Sequence, residues 1–147
     1  MKFFYQVADH CAIYFLIAGS YTPFMLVGLY HLPVARVVLV AEWLAALGGC
    51  VFSMASDLFQ KSTMYVELLF YLAMGLAVFC VWPQVRDNLP WEVILLLVGG
   101  GAAYVFGVIF FVAGNTVPIY HTVWHVFVMV ASAMHWFAIF FFVVHAP

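Results

Sequence analysis

Charged residues are scarce in this chain of 147 residues. It contains 4 Lys and Arg and 6 Asp and Glu, together 7% of the sequence, whereas a soluble domain carries about a quarter charged residues. So few charges could not cover a surface that faces water. The net charge of −2 also provides no basic surface for nucleic acid. The composition therefore excludes an ordinary soluble domain and argues against a nucleic acid partner.

Cysteine is also sparse, and its spacing carries no motif. Cys11, Cys50 and Cys80 lie in separate apolar stretches, without a CxxC pair. This pattern excludes the cysteine framework of a small secreted domain and a cysteine-based zinc ribbon. We expect all three to act as small apolar side chains.

Apolar residues are what the chain has in abundance. It is 69% hydrophobic and 20% aromatic, with a mean hydropathy of +1.16, which predicts an integral membrane protein in contact with lipid. Its apolar runs are long enough to cross ~30 Å of hydrocarbon at ~1.5 Å per residue. We predict an all-α polytopic bundle in a single domain, residues 1–147. Its five spans cover about residues 8–29, 34–55, 63–81, 91–113 and 118–144.

Prolines and polar residues mark the expected breaks between these spans. Pro23 should kink the first span. Asp57 to Lys61 should form a polar turn, and residues 83–90 should form a loop. Within that loop, Asn88 is predicted to cap the fourth span and Pro90 to lie in its first turn.

Two histidines at the start of the last span are the most informative polar residues. The i to i+4 spacing of His121 and His125 places both imidazoles on one helix face. Ionisable groups at membrane depth are costly and by default mark function. Neutral imidazoles suit zinc, and a catalytic zinc takes three protein ligands and a water that becomes a nucleophile. The spacing alone equally allows two hydrogen-bonded residues that pack helices together.

Helix direction brings further polar residues to the same membrane surface. Consecutive spans alternate in direction, so the first, third and fifth start on one side. Asp9, His10, Glu67 and the histidine pair should then all lie within roughly 10 Å of that surface. There Asp9 is a candidate to hold an attacking water or transfer its proton, whereas Glu67 has a second interpretation as a helix-entry carboxylate. Glu42 lies well inside the second span, where it needs a partner or a proton.

The last span should carry one polar stripe. At about 100° per residue, Ser132 falls about 20° from His121, and His135 falls about 40° away on the other side. However, His135 lies ~21 Å along the axis from His121, which is too far for the same metal shell. On the fourth span, the run Gly99–Gly101 is expected to permit close helix packing rather than phosphate binding.

Three stretches of the sequence resemble a known family. Asp9–Phe24, DHCAIYFLIAGSYTPF, is similar to the third-helix motif of the hemolysin III family, within the progestin and adipoQ receptor superfamily. His121–Val128, HTVWHVFV, followed by His135, resembles the seventh-helix motif, and Val66–Gly75 resembles the fifth helix. The resemblance covers nearly all of the chain.

The resemblance implies a seven-helix fold with a zinc site near the cytoplasmic face, in the plasma membrane. One histidine of the second helix and two of the seventh would bind the metal. His121 and His125 take the seventh-helix positions, and Asp9 takes that of the water-holding aspartate. Because the superfamily includes alkaline ceramidases, the implied activity is zinc-dependent hydrolysis of lipid amides or esters. Hemolysin III members are named for a lytic activity, so a non-enzymatic receptor or pore-forming module is the alternative.

The family's first two helices, with the SxxxH motif that carries the third ligand, would precede Met1. Two explanations stand: a truncated reading frame, or a five-helix form that has an incomplete site and could be inactive. A truncated frame predicts that the bases upstream of Met1 encode two more apolar spans.

Overall fold

The computed structural model describes residues 2–58 and 64–144, and every regular element within them is helical. Residues 59–63, which hold most of the predicted turn Asp57–Lys61 and the start of the third predicted span, lie outside the described residues. The α-helices are α1 (Lys2–Pro23), α2 (Pro33–Leu58), α3 (Met64–Leu76), α4 (Trp82–Asn88), α5 (Trp91–Ala113) and α6 (Pro118–Ala138). Two π-helical segments (Phe24–Gly28 and Ile139–Val144) extend α1 and α6, and a 3-10 segment (Ala77–Val81) lies between α3 and α4.

Five stretches of the described chain are helical, long and apolar enough to cross a membrane. On α5, large side chains such as Val98, Phe106 and Ile109 are more than half exposed, as suits a helix surrounded by lipid rather than water. The all-α polytopic fold is therefore confirmed, and the chain is a multi-pass membrane protein. The five stretches are Val7–Gly28, Pro33–Ser56, Met64–Asn88, Trp91–Ala113 and Pro118–Val143.

The third span is longer than the sequence predicted, and the expected loop at residues 83–90 is mostly helix α4. Pro83 is compatible with this helix because a proline in the first turn removes no required N–H. The prediction that Asn88 caps the fourth span was wrong. Asn88 ends α4, where its Nδ2 donates to the Gln84 carbonyl at 2.9 Å, and the N-cap of α5 is Pro90.

Pro23 disturbs the first span as expected. The helix changes from α to π geometry directly after it, and the Leu29 N–H donates to the Phe24 carbonyl at 2.9 Å. Proline has no N–H for the regular α-helical hydrogen bond, and its ring clashes with the preceding turn. The chain therefore leaves regular α-helical geometry within the membrane at this point.

The chain divides into two compact units, and the first comprises Met1–Trp82. In it, α1 packs along α2, and α3 packs against both. A Cβ at Gly49 would collide with the Tyr14 ring, so the glycine lets this ring lie against α2. The three cysteines are free, and Cys50 is buried. The core cluster contains Tyr14, Ala18, Ala46, Cys50, Tyr71 and Met74.

The second unit, Pro83–Pro147, is built on the pairing of α5 with α6. A Cβ at Gly100 would lie 2.5 Å from the His135 ring, and one at Gly99 would lie 2.5 Å from Met134 Cε. The prediction that this glycine run permits close packing is confirmed at these two positions. Gly107 acts in the same way, because a Cβ there would lie 2.9 Å from Trp124 Cε3.

Candidate metal centre

The start of α6 determines where the histidine pair lies. Val117 is extended and Pro118 occupies the first turn, where its fixed φ favours helix initiation. His121 and His125 follow in the first and second turns. At the end of α5, a Cβ on Gly114 would lie 3.0 Å from the His121 N atom. Glycine at this position therefore allows the backbone of α6 to begin close against the end of α5.

The two imidazoles approach each other through their Nε2 atoms. His121 Nε2 and His125 Nε2 are 3.1 Å apart, and the rings are nearly perpendicular, with centroids 4.7 Å apart and an interplanar angle of 78°. Two nitrogens at 2.0–2.1 Å from a tetrahedral zinc would be about 3.3 Å apart. The pair therefore fits two corners of a zinc site with little movement. The same distance also fits one hydrogen bond, with one Nε2–H donating to the other ring.

Aromatic side chains surround the pair within the second unit. The Phe111 ring lies 6.2 Å from the His121 ring and 5.4 Å from that of Trp124, centroid to centroid. Trp124 is 4% exposed, whereas both histidines are partly buried. Electrostatic interactions are stronger among apolar neighbours than in water, so a bound cation or a hydrogen bond here would be strengthened.

The rest of the polar stripe on α6 faces α5. Ser132 Oγ lies 2.7 Å from Tyr104 Oη and also donates to the Val128 carbonyl at 2.7 Å. His135 Nε2 lies 3.2 Å from the Leu97 carbonyl oxygen, a distance at which the ring donates to this backbone. His135 therefore interacts with a backbone carbonyl of α5, a group that in a regular α-helix accepts the N–H four residues later.

The first unit contains a second polar cluster, formed by His10, Ser53 and Glu67. His10 Nδ1 lies 3.1 Å from Glu67 Oε2 and 3.0 Å from Ser53 Oγ. Ser53 Oγ donates to Glu67 Oε1 at 2.8 Å, and Tyr71 Oη donates to the His10 carbonyl at 3.3 Å. Glu67 lies in the first turn of α3, as a helix-entry carboxylate would, and at 2% exposed it is also a buried, hydrogen-bonded acid.

Sequence reasoning placed His10 and Glu67 near one surface, and the structure brings them into contact. It missed Ser53, which lies in an apolar stretch of α2 where a lone serine gives no signal. Asp9 lies on α1 beside His10 and is partly buried. Asp9 belongs to the first unit and the histidine pair to the second.

Comparisons with known proteins agree with the motifs. The family described as Haemolysin-III related matches residues 1–136. The chain is 36% identical over 139 residues to Hemolysin-3 of Bacillus cereus, covering 95% of this chain and 61% of that protein. The Hemolysin-3 homolog of Bacillus subtilis (strain 168) is 36% identical over 142 residues, with 97% and 64% covered. The human Monocyte to macrophage differentiation factor is 33% identical over 144 residues, with 97% and 57% covered. The chain thus spans about three fifths of the length of these curated relatives, and no solved structure matches it.

Proposed function

Because this chain belongs to the Haemolysin-III related family and has five membrane-spanning helices in its described residues, we propose that it binds zinc through His121 and His125. Asp9 is proposed to act beside the metal. The observation that carries the proposal is the 3.1 Å separation of the two Nε2 atoms. Imidazole nitrogen is a preferred zinc ligand.

The proposed activity is the hydrolysis of a lipid amide or ester. Bound zinc would supply a Lewis acid that lowers the pKa of a coordinated water to near 7. The Asp9 carboxylate would orient the attacking water by accepting its hydrogen bond and would then take up its proton. His121 lies three residues into α6, about 5 Å along the axis. This depth is close to the surface of the hydrocarbon, where the carbonyl linkages of membrane lipids lie.

The second candidate is a non-enzymatic receptor or pore-forming module in the cell membrane. It is favoured by the name of the Bacillus cereus relative, Hemolysin-3. In this case the two imidazoles would share a hydrogen bond and stabilise the α5–α6 pairing. The two candidates differ in whether the purified protein retains metal.

Elemental analysis of the purified chain tests the proposal. We expect stoichiometric zinc in the wild type and loss of most of it in His121→Ala and His125→Ala, because each substitution removes one nitrogen ligand. His135→Ala is the matched control, since it removes an imidazole from the same helix ~15 Å beyond His125. Its zinc content should equal that of the wild type.

Two results would contradict zinc binding at this pair. One is equal zinc in the wild type and His125→Ala, and the other is a wild type, supplied with the two preceding helices if they exist, that takes up no zinc on addition. Either result would leave His121 and His125 as helix-packing residues.

A further inference from the structure

The second span contains a buried acid that the proposed hydrolysis does not use. Glu42 is 3% exposed, and its Oε2 is buried without a hydrogen-bond partner among the described residues. It lies nine residues after Pro33, the first residue of α2, or about 14 Å along the axis. This depth is near the middle of a hydrocarbon layer ~30 Å thick.

Hydrogen bonds show which parts of α1 and α3 lie at the same membrane depth as Glu42. Trp43 Nε1 donates to Thr22 Oγ1 at 3.2 Å, so this part of α2 lies beside the end of α1. Tyr21 Oη in turn donates to the carbonyls of Met74 and Gly75, at 3.0 and 3.1 Å. Glu42, the end of α1 and the end of α3 are therefore at one depth in the first unit.

At this depth both neighbouring spans lose regular α-helical geometry. The π segment Phe24–Gly28 begins two residues after Thr22, and the 3-10 segment Ala77–Val81 begins two residues after Gly75. Both segments pack against α2. Such interruptions change the pairing of backbone carbonyls and often occur at functional sites. In membrane transporters, interrupted helices near the midplane provide carbonyl oxygens for cations.

Among the residues of the first unit that the structure describes, the groups near Glu42 supply no positive charge. Tyr21, at the end of α1, directs its single hydroxyl hydrogen to the third span, and its oxygen accepts from the Val78 N–H at 2.8 Å. Cys80, on the 3-10 segment, is exposed. Arg36, on α2 itself, is exposed and donates to the Tyr30 carbonyl. Among the described residues, the ion pairs of the first unit do not include Glu42.

An isolated carboxylate in hydrocarbon is too costly to persist, and it must acquire a cation or a proton. We propose that Glu42 is a binding site for a monovalent cation in the membrane interior, occupied by a proton or by Na⁺ in its place. The site is independent of the zinc proposal, because it uses neither the histidine pair nor Asp9.

Dicyclohexylcarbodiimide tests the site, because it dissolves in lipid and reacts with protonated carboxyl groups. The carboxyl proton moves to one carbodiimide nitrogen and the carboxylate oxygen bonds to the central carbon. The O-acylisourea then rearranges to a stable N-acylurea, so the peptide gains one reagent and loses nothing. Mass spectrometry of the wild-type chain in liposomes should locate the adduct on Glu42. Labelling should fall about tenfold per pH unit once the proton is lost.

Sodium and two variants complete the test. Labelling measured in NaCl and in choline chloride of equal ionic strength identifies the cation: protection by Na⁺ shows that Na⁺ replaces the proton, and equal labelling shows that the proton alone binds. Glu42→Gln should abolish the adduct, whereas Glu67→Gln, at the other buried acid of this unit, should leave labelling of Glu42 intact. Absence of an adduct on Glu42 at every pH, or a rate that depends on neither pH nor Na⁺, would overturn the proposal.

Thermal unfolding gives a second measurement that does not depend on access of the reagent. Gln is a neutral isostere of the protonated acid, so in sodium-free buffer the wild type and Glu42→Gln should have similar melting temperatures at acidic pH. As the pH rises, Glu42 of the unfolded wild type ionises in water while the folded protein still holds its proton, so the wild type should become less stable than the variant. A constant difference across the pH range would contradict an exchangeable proton.

Discussion

A histidine inside a membrane helix needs partners for its ring nitrogens, and the partner decides what the residue can do. His121 and His125 find each other four residues apart on α6, so their nitrogens converge in a way that a metal can use. His135 instead meets a backbone carbonyl, at Leu97. His10 meets the buried carboxylate of Glu67. Four imidazoles of similar sequence context thus have three different environments.

At the residue scale, Ser53 should stabilise the first unit. Ser53→Ala removes the hydroxyl that donates to the buried Glu67 carboxylate, and we expect a loss of about 1–3 kcal/mol in unfolding free energy. Ser20→Ala is the control, because its hydroxyl donates to the Ile17 carbonyl of its own helix and contacts no buried charge. Denaturant unfolding in detergent measures both. Equal stabilities of the two variants would show that Glu67 does not depend on Ser53.

At the scale of elements, glycines determine how closely α5 and α6 pack. Membrane helices gain little from the hydrophobic effect when they associate in lipid, so close van der Waals contact carries more of the stability. Gly100 lies against the His135 ring and the Ala131 carbonyl, and Gly107 lies against Trp124. The α6 side chains that would clash with a Cβ here include His135 of the polar stripe.

Substitution at Gly100 tests this packing. The new Cβ of Gly100→Ala would lie 3.1 Å from the Ala131 backbone oxygen and 2.5 Å from the His135 ring, so the His135 side chain or the α6 backbone must shift. We expect a loss of about 1–3 kcal/mol and a lower melting temperature in detergent. Gly101→Ala is the matched control, since no described atom beyond its chain neighbours and the nearby backbone of α5 lies within 4 Å of the position its Cβ would take. Comparable melting temperatures for the two variants would argue against a packing role for Gly100.

At the scale of the whole molecule, hydrolysis and pore formation predict different behaviour in liposomes. If the chain hydrolyses lipid, release of fatty acid from a fluorescent acyl-ceramide should stop when zinc is chelated. Asp9→Asn should also lose this release while retaining zinc, because the amide cannot take up the proton of the attacking water. Leakage of an entrapped ion that survives chelation and is unaffected by Asp9→Asn would instead support the pore-forming module.

The span boundaries show how far the sequence could be used to predict the fold. Apolar runs identify membrane helices because their length and composition must match the hydrocarbon, whatever their neighbours are. Pro83 misled the prediction because a proline is compatible with a loop and with the first turn of a helix. The Asn88 prediction was wrong because asparagine is favoured both at a helix N-cap and at the end of a helix.

For the site too, contacts within one helix could be predicted from the sequence, whereas contacts between helices could not. His121 and His125 could be paired from sequence because helix geometry relates residues four positions apart without reference to the rest of the fold. The hydrogen bond of Ser53 to Glu67, and the Glu42 oxygen that has no hydrogen-bond partner among the described residues, could not be predicted. They depend on which side chains of separate helices approach one another. The spans have similar hydropathy, so hydropathy does not indicate which helix faces pair, and side-chain packing determines this.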